Sequence, residues 1–492
     1  MAKEIDISAT SPERFRMLLP PERYADFEQT TRVARELLDG RVVWNLNSTA
    51  LDGGVVELLR PLIAYARGVG IDARWFVIEG PPEFFAVTKR IHNRLHGSAG
   101  DGGPLDGDAR RIYETVLAEN MAEFGDRAQA GDVVILHDPQ TAGLVPALLD
   151  AGAFVIWRCH VGLDHPNEIA RQTWQFLLPY LRDAEAFVFS RESFAWEGLD
   201  RERIAVIVPT IDAFAPKNVD LPPNTVRGVL RTAELVAGGP PDHAVTFERT
   251  DGTRGRIQRR AEIIEDGPLP ADARAVVQIS RWDALKDPVG VIRGFAERVP
   301  PRLGAHLVYG GPAVAAVADD PESAQMLRAS IATREQLPPA VRARIHLATL
   351  PMEDAEENAI MVNALQRHAR VIVQKSLAEG FGLTVAEAMW KGRPVVASRI
   401  GGIQEQIVHG VSGILLDDPR DLAAYGSAVA ELLSEPARAE EIGRNARERV
   451  RDRFLSVRSL LDYTALIRRV MARAARNGRR PAAAGIAAAG RR

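Results

Sequence analysis

The sequence predicts an α/β protein built as two successive halves, each a mostly parallel sheet with helices between its strands. Three observations carry this. From Arg41, apolar β-branched runs ended by Gly, Asp or Pro alternate with amphipathic stretches of helical length, the pattern of βαβ units. A second series of the same kind starts at Ala275. Between the two, residues 216–270 are polar and rich in Pro and Gly, so the interdomain connection is expected there.

In the first half, strands are predicted over 42–47, 74–78, 133–137, 154–158, 186–190 and 204–209. The helix predicted over 55–70 puts Val55, Leu58, Leu59, Leu62 and Ile63 on one face, and Pro61 is expected to kink it. The second half gives strands over 275–280, 306–309, 345–348, 371–374, 395–398 and 414–416. In the connecting stretch, 245–249 and 256–264 flank Asp251-Gly252 and predict a small β-ribbon insertion. An Arg-rich helix over 455–475 is expected to cross over and pack on both domains. The expected organisation is therefore an N-terminal extension (1–40), a first domain (41–222), a linker with the ribbon (223–270), a second domain (271–454), the crossover helix (455–476) and a disordered Ala-, Gly- and Arg-rich tail (477–492).

A chain of 492 residues has room for two or three such domains. With 46% hydrophobic and 26% charged residues and a net charge of -3, it gives no general reason to bind nucleic acid or an anionic membrane. The single cysteine, Cys159, cannot close an intramolecular disulfide, residues 1–10 lack a signal-peptide layout, and no apolar run approaches the roughly 20 residues that span a bilayer. A cytoplasmic location is expected.

Three constellations sit where strands end. In the stretch 374–390, a strand runs into Glu379, Gly380, Phe381 and Gly382, and a helix opens near Leu383 and Thr384 with Glu387 close behind. Glycines let a ligand approach the backbone, helix-start N–H groups suit a diphosphate, and the two carboxylates can accept hydrogen bonds from sugar hydroxyls. Thr384-x-x-Glu387 also fits a capping box that needs no ligand. The second constellation, 280–288, follows the first strand of the second half and offers Arg281 and Lys286, a bidentate fork and a mobile point charge. Its bland alternative is an Arg281 paired with a neighbouring acid and a Lys286 at the surface. The third lies in the first half: Asn45 and Asn47 lead into Gly53-Gly54, while His137-Asp138-Pro139-Gln140 and Trp157 to Val161, including His160, end later strands. A tight strand-to-helix turn explains the paired glycines equally well, and His160 alone reads first as a satisfied structural histidine. Asp164 and Asp212 read as turn or surface residues.

Taken together, Arg281 with Lys286, Glu379-x7-Glu387 with Gly380-Phe381-Gly382, and the Gly53-Gly54 loop resemble the retaining glycosyltransferases of the GT-B fold, which include sucrose and glycogen-type synthases. Within them, Asn45 to Thr49 with Gly53 to Val55, Trp157 to His160, Pro209 to Asp212 and Glu379 to Gly392 are similar to the trehalose-forming glycosyltransferases, over about 45–418. The ribbon insertion and the tail depart from that pattern. The resemblance implies two Rossmann-like domains facing a central cleft and transfer of glucose from a nucleoside-diphosphate glucose to free glucose, giving α,α-trehalose. It implies catalytic roles for Arg281, Lys286, Glu379 and His160. Gly54, Gly380, Phe381, Gly382, Leu383, Thr384 and Glu387 are assigned to the donor, with Glu379 on its glucose and Glu387 on its ribose. Asn45, Asn47, Asp138 and Gln140 are assigned to the acceptor. No metal site and no obligatory cofactor are expected, with Mg2+ as a stimulator accompanying the nucleotide-sugar, and a homodimer is the expected assembly. Other readings stay open at this point: a sucrose- or glycogen-type acceptor, a nucleotide-sugar epimerase, which would act without an acceptor, and a non-catalytic nucleotide-sugar sensor.

Overall fold

The computed structural model describes residues 3–50, 53–314 and 321–476. Leu51 and Asp52 of the first strand-to-helix loop, and the tail from Asn477, lie outside the described residues. The chain divides into two compact units. One runs to Thr210 and resumes at Leu455, and the other is Ile211–Phe454.

Seven strands form the sheet of the first unit: β1 (Lys3–Ile5), β2 (Val42–Asn47), β3 (Asp72–Val77), β4 (Val133–His137), β5 (Phe154–Cys159), β6 (Ala186–Phe189) and β7 (Ile204–Val206). Their order is β1-β3-β2-β4-β5-β6-β7. All pairs are parallel except β1 with β3, which is antiparallel. Strand β1 is an edge addition that the sequence reading leaves inside the N-terminal extension; at three residues it is too short to show a period, and its Glu4 is held by Arg74 and Arg127. Helices α1 (Pro21–Leu37) and α2 (Gly54–Gly68, continuous through Pro61) pack against the C-terminal helix Ser456–Arg476. That helix, expected to lie across both domains, clusters with the first unit, where Tyr463 Oη accepts from Arg158 Nη1 at 2.8 Å and Ser459 Oγ meets Thr210 Oγ1 at 2.7 Å. Among the described residues no helix is long and apolar enough to cross a membrane.

The second unit contains a two-stranded ribbon, β8 (Thr246–Glu248) with β9 (Arg254–Arg256), and a second seven-stranded sheet. The sheet strands are β10 (Glu262–Ile264), β11 (Arg274–Ile279), β12 (Ala305–Pro312), β13 (Ile345–Leu350), β14 (Val371–Gln374), β15 (Val395–Ser398) and β16 (Ile414–Leu416). They run in the order β10-β13-β12-β11-β14-β15-β16, with only β10 antiparallel. Helices α3 (Pro288–Arg298), α4 (Ala355–His368) and α5 (Leu383–Trp390) follow β11, β13 and β14.

In each sheet the strand order reverses once: β3 and β4 flank β2, and β12 and β14 flank β11. Open α/β sheets bind ligands beyond the carboxyl ends of the strands at such a reversal. The loops after β2, β4, β11 and β14 flank these reversals and carry both second-half constellations and, in the first half, Gly53-Gly54 and Asp138 to Gln140, while His160 follows the neighbouring β5.

Two boundaries differ from the sequence reading for physical reasons. Residues 211–270 belong to the second unit because their backbone is tied to it, Asn363 Nδ2 donating to the carbonyls of Pro216 and Val219 at 2.9 and 2.8 Å. The predicted second ribbon strand, 256–264, is split. The N–H groups of Gln258 and Arg259 leave the ladder to donate to Glu357 Oε1 at 2.6 and 2.7 Å, so the chain turns and residues 262–264 join the large sheet instead. Glu357 is buried and also pairs with the Arg259 guanidinium, while Arg249 pairs with Asp354 and Glu356.

Glu357→Ala removes the acceptor for two backbone donors and one cation at once. It should destabilise the second unit by about 3 kcal/mol. Hydrogen exchange should speed up over 246–264 with β2 to β7 unchanged; protection of the ribbon equal to wild type would contradict the clamp.

Candidate active site

In the second unit the loops after β11 and β14 are stitched into one body. Gln278 of β11 donates through Nε2 to the Lys286 carbonyl at 2.9 Å and accepts the Lys375 N–H at 3.1 Å. The Leu377 N–H donates to the Leu285 carbonyl at 2.7 Å. Asp287 adopts a left-handed backbone, φ 48°, which Asp tolerates better than most residues. From there its carboxylate caps α3 at the Gly290 N–H, 3.0 Å, and pairs with the fully buried Lys375.

The product of this stitching is a pair that links two constellations. Lys286 Nζ lies 2.6 Å from Glu379 Oε2, each with 13% of its side chain exposed, and Ser376 Oγ donates to the same oxygen at 3.3 Å. Lys286 is therefore not an ordinary surface lysine. Arg281 stays at the rim: 68% of its side chain is exposed and Nη2 pairs with Asp283 at 2.9 Å, the bland alternative for this residue.

The capping-box alternative is overturned. Helix α5 starts from Gly382, at φ 82°, with no side-chain cap, and Thr384 Oγ1 donates to Gln374 Oε1 at 3.1 Å instead of capping. The first N–H groups of α5, including those of Leu383 and Thr384, have no partner within the helix and are oriented for an anion. Glu387 sits one turn further in, nearly fully buried, with Lys217 Nζ at 3.6 Å from Oε1. Phe381 is packed inside, its ring 6.0 Å from that of Phe454.

Gly401 and Gly402, after β15, were not singled out in the sequence, although they repeat the Gly-Gly signal of Gly53-Gly54. The Gly402 N–H donates to the Gly380 carbonyl at 2.9 Å, and Gln406 Nε2 holds the carbonyls of Phe381 and Gly382 at 2.6 and 3.2 Å. A Cβ on Gly401 would fall 1.9 Å from the Glu379 carbonyl oxygen, so only glycine fits there. These contacts turn the loop carbonyls inward.

In the first unit, β2, β4 and β5 bring Asn45, His137 and His160 into a chain. His137 Nε2 lies 3.2 Å from Asn45 Oδ1, His137 Nδ1 lies 3.1 Å from His160 Nε2, and Arg158 Nε approaches His160 Nδ1 at 3.4 Å. Arg158 can only donate, which fixes the order. His160 accepts at Nδ1 and donates from Nε2, and His137 accepts at Nδ1 and donates from Nε2 to Asn45. Both rings are then neutral, in keeping with burial, which pushes His137 down to about 3 and His160 well below its ordinary 6.5. Both nitrogens of His160 are thereby engaged within the unit.

Asp138, at φ 64°, turns back to accept the His160 N–H at 2.7 Å, and burial pushes its carboxyl up to about 6. Gln140 Oε1 beside it is buried with no hydrogen-bond partner among the described residues. Asn47 is occupied at both ends, donating to the Thr49 carbonyl at 2.6 Å and accepting from Trp75 Nε1 at 2.8 Å, so it shapes the loop. Gly53, at φ 99°, caps α2, whose first residue is Gly54; among the described residues a Cβ on Gly53 would meet nothing within 4 Å. Asp164 is held by Arg191 at 2.5 Å, and Asp212 closes a turn onto the Phe214 N–H at 3.1 Å.

Comparison with known proteins bears on family and fold. Residues 45–196 match the family described as "Trehalose synthase, N-terminal domain", and residues 357–449 match "Glycosyl transferases group 1". A trehalose synthase from Pyrococcus horikoshii is 32% identical over 468 residues, 94% of this chain and 98% of its own. A sucrose-phosphate synthase structure from Thermosynechococcus elongatus covers 88% of this chain and 100% of its own with a TM-score of 0.60 at 18% identity. The Anabaena protein HepE, solved in complex with UDP and glucose, covers 86% and 98% with a TM-score of 0.57 at 15% identity. The fold is the two-domain, Rossmann-like GT-B type.

The neutral histidine pair sets a pH dependence. Unfolded histidines titrate near 6.5, while the folded rings do so well below it, so below pH 6.5 the unfolded chain binds protons that the folded one excludes. Stability falls with falling pH by about 1.4 kcal/mol per unit per ring. Asp138, raised from 3.8 to about 6, opposes one of the two rings inside that interval. Urea unfolding, read by hydrogen exchange in β4 and β5, should therefore show a net loss between pH 7.5 and 5, and His137→Asn should flatten it. A wild-type slope of zero would contradict the neutral pair.

Proposed function

The chain belongs to the trehalose synthase family, and from that premise we propose that it is a retaining glycosyltransferase that moves glucose from a nucleoside-diphosphate glucose to free glucose, forming α,α-trehalose. The observation that carries the donor half is the Lys286–Glu379 pair set directly before the uncapped start of α5, at the strand-order reversal of the second sheet.

In this reading the donor diphosphate meets Lys286, Arg281 and the N–H groups at Leu383 and Thr384, behind the Gly380-Phe381-Gly382 turn. Charge that develops on the leaving phosphate is met by groups already in place, which lowers the barrier without reorganisation. Glu379 accepts hydrogen bonds from the donor glucose and Glu387 from the ribose. The Lys286–Glu379 pair keeps both charges compensated until the donor arrives, when the phosphate takes over Lys286 and sugar hydroxyls take over Glu379.

The acceptor is assigned to the first unit, to Asp138 and Gln140, with Asn45, Asn47 and His160 fixing their positions, while the helix start at Gly54 stays assigned to the donor. The carboxylates of the second-unit loops are committed, Glu379 to Lys286 and Glu387 to Lys217, so neither supports the role of a covalent nucleophile. A front-face substitution fits better. The bond from glucose C1 to the phosphate oxygen breaks, the bond from C1 to the acceptor O1 forms on the same face, and the acceptor hydroxyl proton passes to the leaving phosphate oxygen. Holding both sugars in place supplies the entropic part of the rate. The cationic groups named above support a reaction with no obligatory metal, in which Mg2+ is a stimulator.

Incubation with uridine-, adenosine- or guanosine-diphosphate glucose and glucose should consume reducing ends and give a single symmetric α-anomeric proton signal. A β-linked product would contradict retention, faster transfer to fructose or glycogen would contradict the acceptor, and preference for glucose 1-phosphate would indicate a phosphorylase-type donor. The same assay should keep measurable activity in excess chelator; complete loss would establish an obligatory metal.

A further inference from the structure

Residues 216–220 form a short strap held across two helices of the second unit. Asn363 Nδ2 binds the carbonyls of Pro216 and Val219, and Arg367 Nη2 binds the carbonyl of Val219 at 3.0 Å and Asp220 Oδ1 at 2.9 Å. Trp390 Nε1, at the end of α5, donates to the Asn218 carbonyl at 3.2 Å, and Lys391 Nζ donates to Asn218 Oδ1 at 3.2 Å and to the Glu387 carbonyl at 3.2 Å. Arg447 adds a pair to Asp220 Oδ2 at 3.1 Å. So many ties on five residues fix the one side chain between them that points at the donor carboxylate: Lys217, whose Nζ lies 3.6 Å from Glu387 Oε1.

From this geometry we infer that Lys217 is a positioning residue for donor binding, delivered by the strap to keep the buried Glu387 ionised and aimed at the ribose hydroxyls. The inference rests on the reading of Glu387 as the ribose ligand. A carboxylate with 3% of its side chain exposed needs a compensating cation to stay charged. Lys391 serves that purpose poorly: its ammonium is spent on Asn218 and a carbonyl, and burial pushes it down to about 7. At 3.6 Å, Lys217 is close enough to compensate Glu387.

The test is calorimetric binding of uridine and adenosine diphosphates, each against its 2′,3′-dideoxy form. Wild type should prefer the ribose form by roughly tenfold or more, as expected for hydrogen bonds to a charged group. Glu387→Gln should largely erase that preference. Lys217→Met should reduce it severalfold without changing affinity for the dideoxy form, and Lys217→Arg should restore it. If Glu387→Gln erases the preference and Lys217→Met leaves it intact, the role of Lys217 is overturned and the ribose assignment stands. If Lys217→Met weakens both forms equally, Lys217 acts on the phosphates or on the fold, and the inference fails. If Glu387→Gln keeps the preference, the ribose assignment fails and the inference with it. Failure of uridine, adenosine and guanosine diphosphates alike to bind wild type would contradict the donor reading itself.

Discussion

The ion pair between Lys286 and Glu379 is the interaction on which the arrangement of the second unit turns. A lysine and a glutamate that are each mostly withdrawn from water are stable there only as partners. Their partnership requires the loops after β11 and β14 to keep one relative position. The surrounding structure supplies it through Gln278 bridging the two loops, Leu377 bonded to Leu285, and Lys375 paired with Asp287. The parallel pairing of β11 with β14 puts those loops side by side at the reversal of strand order. Topology, stitching and charge thus act on the same few atoms.

The reversal in the first unit is built on the opposite electrostatic choice. Where the second unit holds compensated charges, the first holds two neutral imidazoles ordered by a donor-only arginine at one end and an asparagine at the other. The two reversals share a backbone device. Asp138, directly after β4, and Asp287, directly before α3, both lie in the left-handed region, a conformation that costs of order 1 kcal/mol or more for a non-glycine residue. In each case the carboxylate is repaid by partners that only this backbone turn reaches: the His160 N–H for Asp138, and Lys375 with the α3 N-terminus for Asp287.

Most of the fold was legible because a buried parallel strand leaves a strong trace. The apolar runs at 133–137, 371–374, 395–398 and 414–416 coincide with β4, β14, β15 and β16. Elements without such a trace were missed. Strand β1 has three residues, and β10 adds to the sheet only because Glu357, about a hundred residues on, pulls Gln258 and Arg259 out of the ribbon. Of the site, the residue types at strand ends were readable, but the pairing of Lys286 with Glu379 joins residues 93 apart in sequence. Thr384 and Glu387 carry the spacing of a capping box, yet Gln374 and Lys217 claim their side chains. The 216–220 strap reads as ordinary polar linker, since its partners Asn363, Arg367 and Lys391 lie far along the chain.

The central claim is that Lys286 and Glu379 work as one donor-binding device. A double-mutant cycle in transferase activity tests it most directly, using Lys286→Ala, Glu379→Gln and the double variant. Removal of either group should lower kcat/KM by roughly a hundredfold or more, and the double variant should be little worse than the weaker single one, because the second removal acts on a device already broken. A double variant whose loss equals the product of the two single losses would show that the residues act independently and would contradict the account.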